Sequence, residues 1–246
     1  MLSGQRNILL QAFAALLLAG CTTVPPALPT ATVPMPRERL AVTLPFGFVG
    51  FCSRFADQCL ATPNGSEVLT LNDQSWALLQ SVNQTVNHKI WQQSDEAHYR
   101  RAEYWTIPTD GYGDCEDYAL AKRKDLIAAG LPTQALRLAI AETPKFGLHT
   151  VLTVVTDKGD FVLDNHSDEI RSWLDTGYRW LERQDGASPL KWVSLLTVYA
   201  DLGAQPAKLQ FAALPAPVPP RSDPVTPIEE SASLSEQSPV RVAAGN

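Results

Sequence analysis

Cys115 lies in the block Gly113-Asp114-Cys115-Glu116-Asp117, just after the chain-breaking Gly111-Tyr112-Gly113. With Asp114 as N-cap and Gly130 and Pro132 as the stop, a helix is expected from Cys115 to about Ala129. A thiol in a helix's first turn faces unpaired backbone N–H groups and the positive end of the dipole, which favour thiolate. His149 and then Asp164 follow in the chain. A thiol, an imidazole and a carboxylate in this order can act as nucleophile, general base and orienting group for acyl transfer.

Two tensions accompany this assignment. If Lys158-Gly159 is the turn of a short hairpin, Asp164 sits opposite Thr153. That is four residues from His149, or roughly 13 Å along the strand. A bulge, a different turn or strong twist must close the gap. The second tension is electrostatic: Asp114, Glu116 and Asp117 crowd the thiol, and negative charge opposes its ionisation. A divalent cation would remove that conflict, and carboxylate oxygens suit Ca²⁺, with Asp114, Glu116 and Asp117 as candidate ligands. Alternatively Asp114 only caps the helix, and the other two acids only complement its dipole.

Other polar residues read as structural. His88 and His98 fall in or after an earlier helix and read as surface groups, while His166, beyond Asp164-Asn165, lines the cleft. Lys122-Arg123-Lys124 reads as a solvated helix face. Trp105, Trp173, Trp180 and Trp192 read as core or cleft wall. Cys52 and Cys59 can close a small disulfide loop, with a metal site as the rival, and that pairing leaves Cys115 unpaired.

The elements that must position these groups follow from periodicity. Trp76, Leu79, Val82, Val86 and Ile90 recur at steps of three and four, which predicts a helix over Asn72–Ile90. Leu136, Leu138 and Ile140 alternate, as do Val151, Thr153 and Val155 in a strand beginning at His149. Phe161 to Asp164 returns as the partner strand after a turn at 157–160. Further strands are expected around Tyr178–Leu181 and Trp192–Leu195. Helices followed by antiparallel strands make an α+β domain.

The 246 residues carry 20 Lys and Arg against 26 Asp and Glu, a net charge of -6, which disfavours a nucleic-acid partner. Arg6, the apolar stretch Ile8–Leu18 and the ending Leu18-Ala19-Gly20-Cys21 read as a signal peptide over residues 1–20. The last four resemble a bacterial lipobox, which would lipidate Cys21 and attach the chain to a membrane through lipid. Residues 21–43 are proline-rich and read as a tether, 44–205 as one catalytic domain, and 206–246 as a disordered proline-rich tail.

The run Gly113-Asp114-Cys115-Glu116-Asp117-Tyr118-Ala119-Leu120-Ala121-Lys122-Arg123, followed by His149 and Leu163-Asp164-Asn165, resembles the bacterial transglutaminase-like cysteine proteinases, the family of LapG-like periplasmic adhesin proteases. Similarity extends to Phe51-Cys52 with Cys59, Tyr104-Trp105, Thr176-Gly177-Tyr178 and Arg183-Gln184. The resemblance implies a papain-like, transglutaminase-core fold with Cys115 as nucleophile, His149 as base and Asp164 as orienter. It also implies calcium dependence through acids of this motif, a protein substrate such as a large surface adhesin, and an inner-membrane cyclic-di-GMP receptor as partner. The lipobox and long tail depart from that pattern. The expected location is the periplasm, anchored by lipid to the outer rather than the inner membrane. Two other readings are a transglutaminase-like amide acyl transferase and a catalytically silent binding lipoprotein of the same fold.

Overall fold

A computed structural model describes residues 27–36 and 40–195. The signal peptide, Cys21 and the proline-rich tail therefore lie outside the described residues. The chain divides into two units, Met1–Lys208 and Leu209–Asn246, of which the second falls wholly outside them.

In chain order the elements are β1 (Ala41–Val42), α1 (Phe46–Arg54), α2 (Asp73–Lys89), β2 (Trp91–Gln92), α3 (Asp95–Tyr99), β3 (Tyr112–Gly113), α4 (Cys115–Ala128), β4 (Leu136–Thr143), β5 (Gly147–Thr156), β6 (Gly159–Asp164), β7 (Ser167–Ser172), β8 (Arg179–Gln184) and β9 (Trp192–Ser194). The sheet holds seven strands in the order β1-β9-β8-β4-β5-β6-β7, each pair antiparallel. Helices on one face of an antiparallel sheet give the expected α+β class. The sequence reading did not anticipate α1 or β7.

The apolar periodicity of α2 places Trp76, Leu79 and Val86 inside. Asn72 caps this helix: its side chain accepts from Ser75 N–H while Ser75 Oγ accepts from Asn72 N–H. Leu120 and Leu126 of α4 join Leu136, Leu138, Leu152 and Val154 of the sheet in the main core. On the opposite face Ala139, Ala141, Val151 and Val162 pack with Trp173 and Trp180. Trp105 and Trp192 are also buried, so all four of these tryptophans are core.

Lys122 and Arg123 correct the expectation of a solvated basic face: both are fully buried. Helix α4 packs against α2 on one side and β5 on the other, so only part of its circumference meets water. Arg123 answers its burial by donating to Leu136 O and, at 2.6 Å, to Gln58 O, which ties α4 to the loop between Cys52 and Cys59. Those cysteines are joined by a disulfide.

Among the described residues Lys122 has no hydrogen-bond partner for its ammonium group. Burial lowers its pKa from 10.5 to about 7, against the opposing pull of Asp164 and Asp168. Between these two values the unfolded chain binds the proton and the folded chain does not, so stability rises with pH there. Below about pH 7 the full penalty of a buried charge applies. Lys122→Met is therefore expected to stabilise the protein by on the order of a few kcal/mol at pH 6. The gain should shrink toward pH 10. Melting curves of both proteins at the two pH values check this, and a gain independent of pH would contradict it.

Part of the proline-rich N-terminal segment runs along the folded body. Met35 is buried, Val33 O accepts from Trp173 Nε1, and Thr32 N–H donates to Lys158 O. Leu28 and Met35 give this stretch apolar side chains that pack against the core.

Candidate active site

The approach to Cys115 is built by a short parallel pairing. Strands β2 and β3 pair Trp91 with Tyr112 and Gln92 with Gly113, and Gln93 N–H donates to Gly113 O at 2.9 Å. Gly111 has φ +87°, a conformation that side chains disfavour. At Gly113 a Cβ would lie 2.7 Å from Asp117 Cβ, so only glycine lets the chain enter α4 this closely. These two glycines explain the break seen in the sequence.

Cys115 begins α4 as expected and is partly exposed. Asp114 occupies the N-cap position, yet its side chain makes no capping hydrogen bond. It turns instead toward α3, where its Oδ2 accepts from Asp95 N–H at 3.1 Å. This corrects the capping role read from the sequence.

The hairpin register resolves the 13 Å difficulty. The turn is Asp157-Lys158, with Thr156 opposite Gly159 and Leu152 opposite Leu163. Continued by one step, this register sets Asp164 across from Val151, two residues from His149 and on the same face. Diagonal neighbours of this kind are about 7–8 Å apart, within side-chain reach. His149 Nε2 and Asp164 Oδ1 are 2.9 Å apart, both residues being buried.

Asp164 is held at every turn. Its Oδ1 also accepts from His166 N–H at 2.9 Å, and its Oδ2 accepts from Tyr178 O–H at 2.6 Å. Burial alone would raise its pKa, but the bonds to His149, Tyr178 and His166, with the charge of His149, hold the carboxyl well below the usual range. Asp164 is thus an anion held against the His149 ring, where it fixes the ring's orientation. With Nε2 engaged by Asp164, Nδ1 is the ring nitrogen left to exchange a proton.

Cys115 and His149 line the same cleft. Two hollows meet there, with Leu148 common to both. One, of about 490 Å³, is walled by Gln92, Phe146, Asn165 and His166. The other, of about 230 Å³, is walled by Phe46, Trp105, Ile140 and Thr150. Phe46 and Leu148 are exposed at 83% and 71%, unusual for large apolar side chains and suited to gripping a chain laid across the thiol.

The acids form the other half of the site. Carboxylate oxygens of Asp95, Asp114 and Glu116 lie within 4.8 Å of one another. Burial, then the charge of Asp114, pushes Glu116 up to about 9. Burial also raises Asp95 to about 6 and Asp117 to about 8, against their backbone hydrogen bonds. Cys115 donates its thiol proton to Glu116 Oε2 at 3.1 Å, while Thr150 N–H donates to the sulfur at 3.4 Å. Burial and the Glu116 charge push the thiol well above its ordinary pKa. Asp117 stands outside the close group, its Oδ1 accepting from Thr106 N–H at 2.7 Å. The sequence reading missed Asp95, whose only signal was its place in the first turn of a short helix after Ser94. It also named no role for Tyr178.

The remaining histidines divide. His88 pairs with Asp168 at the surface, and His98 pairs with Asp110 at 2.9 Å. His166 packs on His149.

The family model of the bacterial transglutaminase-like cysteine proteinases (BTLCP) matches residues 39–199. No curated protein matches. Similar solved structures include Legionella pneumophila LapG treated with EGTA, at 26% identity and TM-score 0.40, covering 44% of this chain and 62% of that one. Calcium-bound LapG from the same organism matches at 24% identity and TM-score 0.43, covering 48% of this chain and 68% of that one. The chain thus spans somewhat under two thirds of the EGTA-treated structure.

Proposed function

From the premise that this chain belongs to the bacterial transglutaminase-like cysteine proteinases, we propose that it hydrolyses a peptide bond of an envelope protein through Cys115, His149 and Asp164. The observation that carries this reading is the buried 2.9 Å contact of His149 with Asp164, in a cleft that also holds a helix-leading thiol. Cys115 attacks the carbonyl carbon, and its proton resides on His149. The imidazolium then protonates the leaving amine. Water, deprotonated by His149, cleaves the thioester and restores the thiol. Asp164 keeps the ring oriented and stabilises its charged form throughout.

Ca²⁺ fits the acid cluster. Asp95 Oδ1 and Asp114 Oδ1 are buried without hydrogen-bond partners among the described residues, and three clustered carboxylates are a hard-oxygen donor set. Asp95, Asp114 and Glu116 would hold the ion, with Asp117 beside them. When bound, the cation would offset the negative charge that opposes thiolate formation. EGTA is accordingly expected to lower the melting temperature by several degrees and to slow Cys115 alkylation severalfold, both restored by Ca²⁺. Asp95→Ala should remove the calcium response, whereas Glu182→Ala should keep it. No change on chelation would reduce the acids to helix partners.

The envelope assignment rests on the lipobox-like Leu18-Ala19-Gly20-Cys21. The substrate we propose is a surface adhesin, released near its membrane-retained end. Proteomics of the envelope and medium, comparing wild type with Cys115→Ser, tests this. A shed fragment that depends on Cys115 would identify the substrate, and identical fragment sets would overturn the reading.

A further inference from the structure

Three rings stand in a row beside the cleft. His166 lies against His149, with ring centroids 4.2 Å apart and planes 3° from parallel. Phe146 lies against His166 at 4.3 Å. His166 is the second residue of the two-residue turn that joins β6 to β7, where Asp164 pairs with Ser167, and that turn sets its ring against His149. His149 and Asp164 are 3% and 2% exposed although they sit near strand ends, whereas the His166 side chain is 28% exposed. His166 thus forms part of the boundary between the dyad and water.

We propose that His166 is a positioning residue for the base, its ring face fixing the plane of the His149 imidazole and its backbone N–H fixing the carboxylate that the imidazole bonds. The inference rests on the reading of His149 as the base. An imidazole held only by one hydrogen bond at Nε2 can still swing about that bond. A flat surface pressed against it removes this freedom, and Phe146 backs that surface from the other side. The second bond acts on the same oxygen: Asp164 Oδ1 accepts from both His149 Nε2 and His166 N–H. One residue therefore constrains both members of the dyad, the ring through stacking and the carboxylate through the main chain.

The stacking needs a planar ring and no nitrogen. His166 Nδ1 stands 4.0 Å from Asp164 Oδ1, beyond hydrogen-bond distance. Burial, then the charge of His149, lowers the pKa of His166. Phenylalanine should consequently replace histidine here, and alanine should not.

The experiment compares the full-length chain with His166→Phe and His166→Ala in calcium-containing buffer. It measures the second-order rate of Cys115 alkylation by iodoacetamide at pH 6.5, and kcat and KM on the best member of an internally quenched peptide library. His166→Ala is expected to lower alkylation and kcat about tenfold with KM within about twofold, since misplacing a reacting group acts on the transition state. His166→Phe should retain both rates within about threefold. Unchanged rates in His166→Ala overturn the proposal. Equal losses in both variants overturn it too, because the nitrogens would then matter instead of the ring face. Melting curves identify a variant that fails to fold, and for such a variant His166→Tyr supplies the planar-ring test. If His149→Ala alkylates like wild type, the assignment of the base has failed, an outcome separate from any result at His166.

Discussion

Replacing Cys115 by Ser, or His149 by Ala, is expected to lower peptide hydrolysis by at least about a thousandfold, with the melting temperature nearly unchanged for Cys115→Ser and lowered by several degrees for the buried His149. Cys115 is a partly exposed first-turn residue whose sulfur is held by one backbone N–H and one carboxyl, so a hydroxyl of similar size keeps those contacts. It loses the ease of ionisation that makes sulfur a nucleophile without a strong base. His149→Ala removes the proton acceptor and leaves Asp164 still bonded to Tyr178 and to His166 N–H, so the carboxylate is not stranded. The two changes should not add, because each removes the same step. A double variant no slower than the slower single variant is the expected result of a hydrolysis assay.

Asp164 is expected to give a graded series, with Asp164→Asn and Asp164→Ala each costing on the order of a thousandfold or more and Asp164→Ala costing the more. An asparagine can place its oxygen where Oδ1 now accepts from His149 and His166, with its amide toward Tyr178, whose hydroxyl can rotate to accept. Orientation of the ring then survives. The negative charge beside the ring is lost. Alanine removes orientation and charge together, and it leaves the Tyr178 hydroxyl without its 2.6 Å partner. Steady-state kinetics on the three proteins check the order. Equal losses for Asn and Ala would assign the whole effect to charge, and equal activity of Asn and wild type would assign it all to orientation.

Much of the site was legible because its parts are local in sequence. The Gly111-Tyr112-Gly113 break, the thiol at the head of α4 and the alternation of β5 follow from spacing, and the structure has each element near its expected bounds. The His149–Asp164 distance was not legible in the same way. Lys158-Gly159 has the look of a turn, but Gly159 instead pairs with Thr156, whose hydroxyl donates to Gly159 O at 2.7 Å. Asp157 is drawn outward to Leu71 N–H, 86 residues away, and no local pattern announces that contact. A shift of one position in the turn moves the facing residue by two, which is the difference between separated and bonded side chains.

The misreadings share one cause. Lys122 and Arg123 look like a solvated face only if α4 is covered on one side, and the burial of both sides comes from α2 and β5, elements distant in the chain. Asp95 joins Asp114 and Glu116 from α3, about twenty residues upstream. Its carboxylate gives no sign in sequence that it belongs to the thiol's surroundings. Asp114 keeps the N-cap position, but its side chain accepts from Asp95 N–H instead of capping the helix.

The central claim is that the His149–Asp164 dyad ionises Cys115, and the pH dependence of Cys115 alkylation by iodoacetamide tests it most directly. Wild type in calcium should alkylate faster than His149→Ala below the ordinary thiol range, because His149 is there to take the thiol proton. His149→Ala should show a single rise at or above about pH 8.5, as an unassisted thiol does. Superimposable profiles for the two proteins would contradict the account.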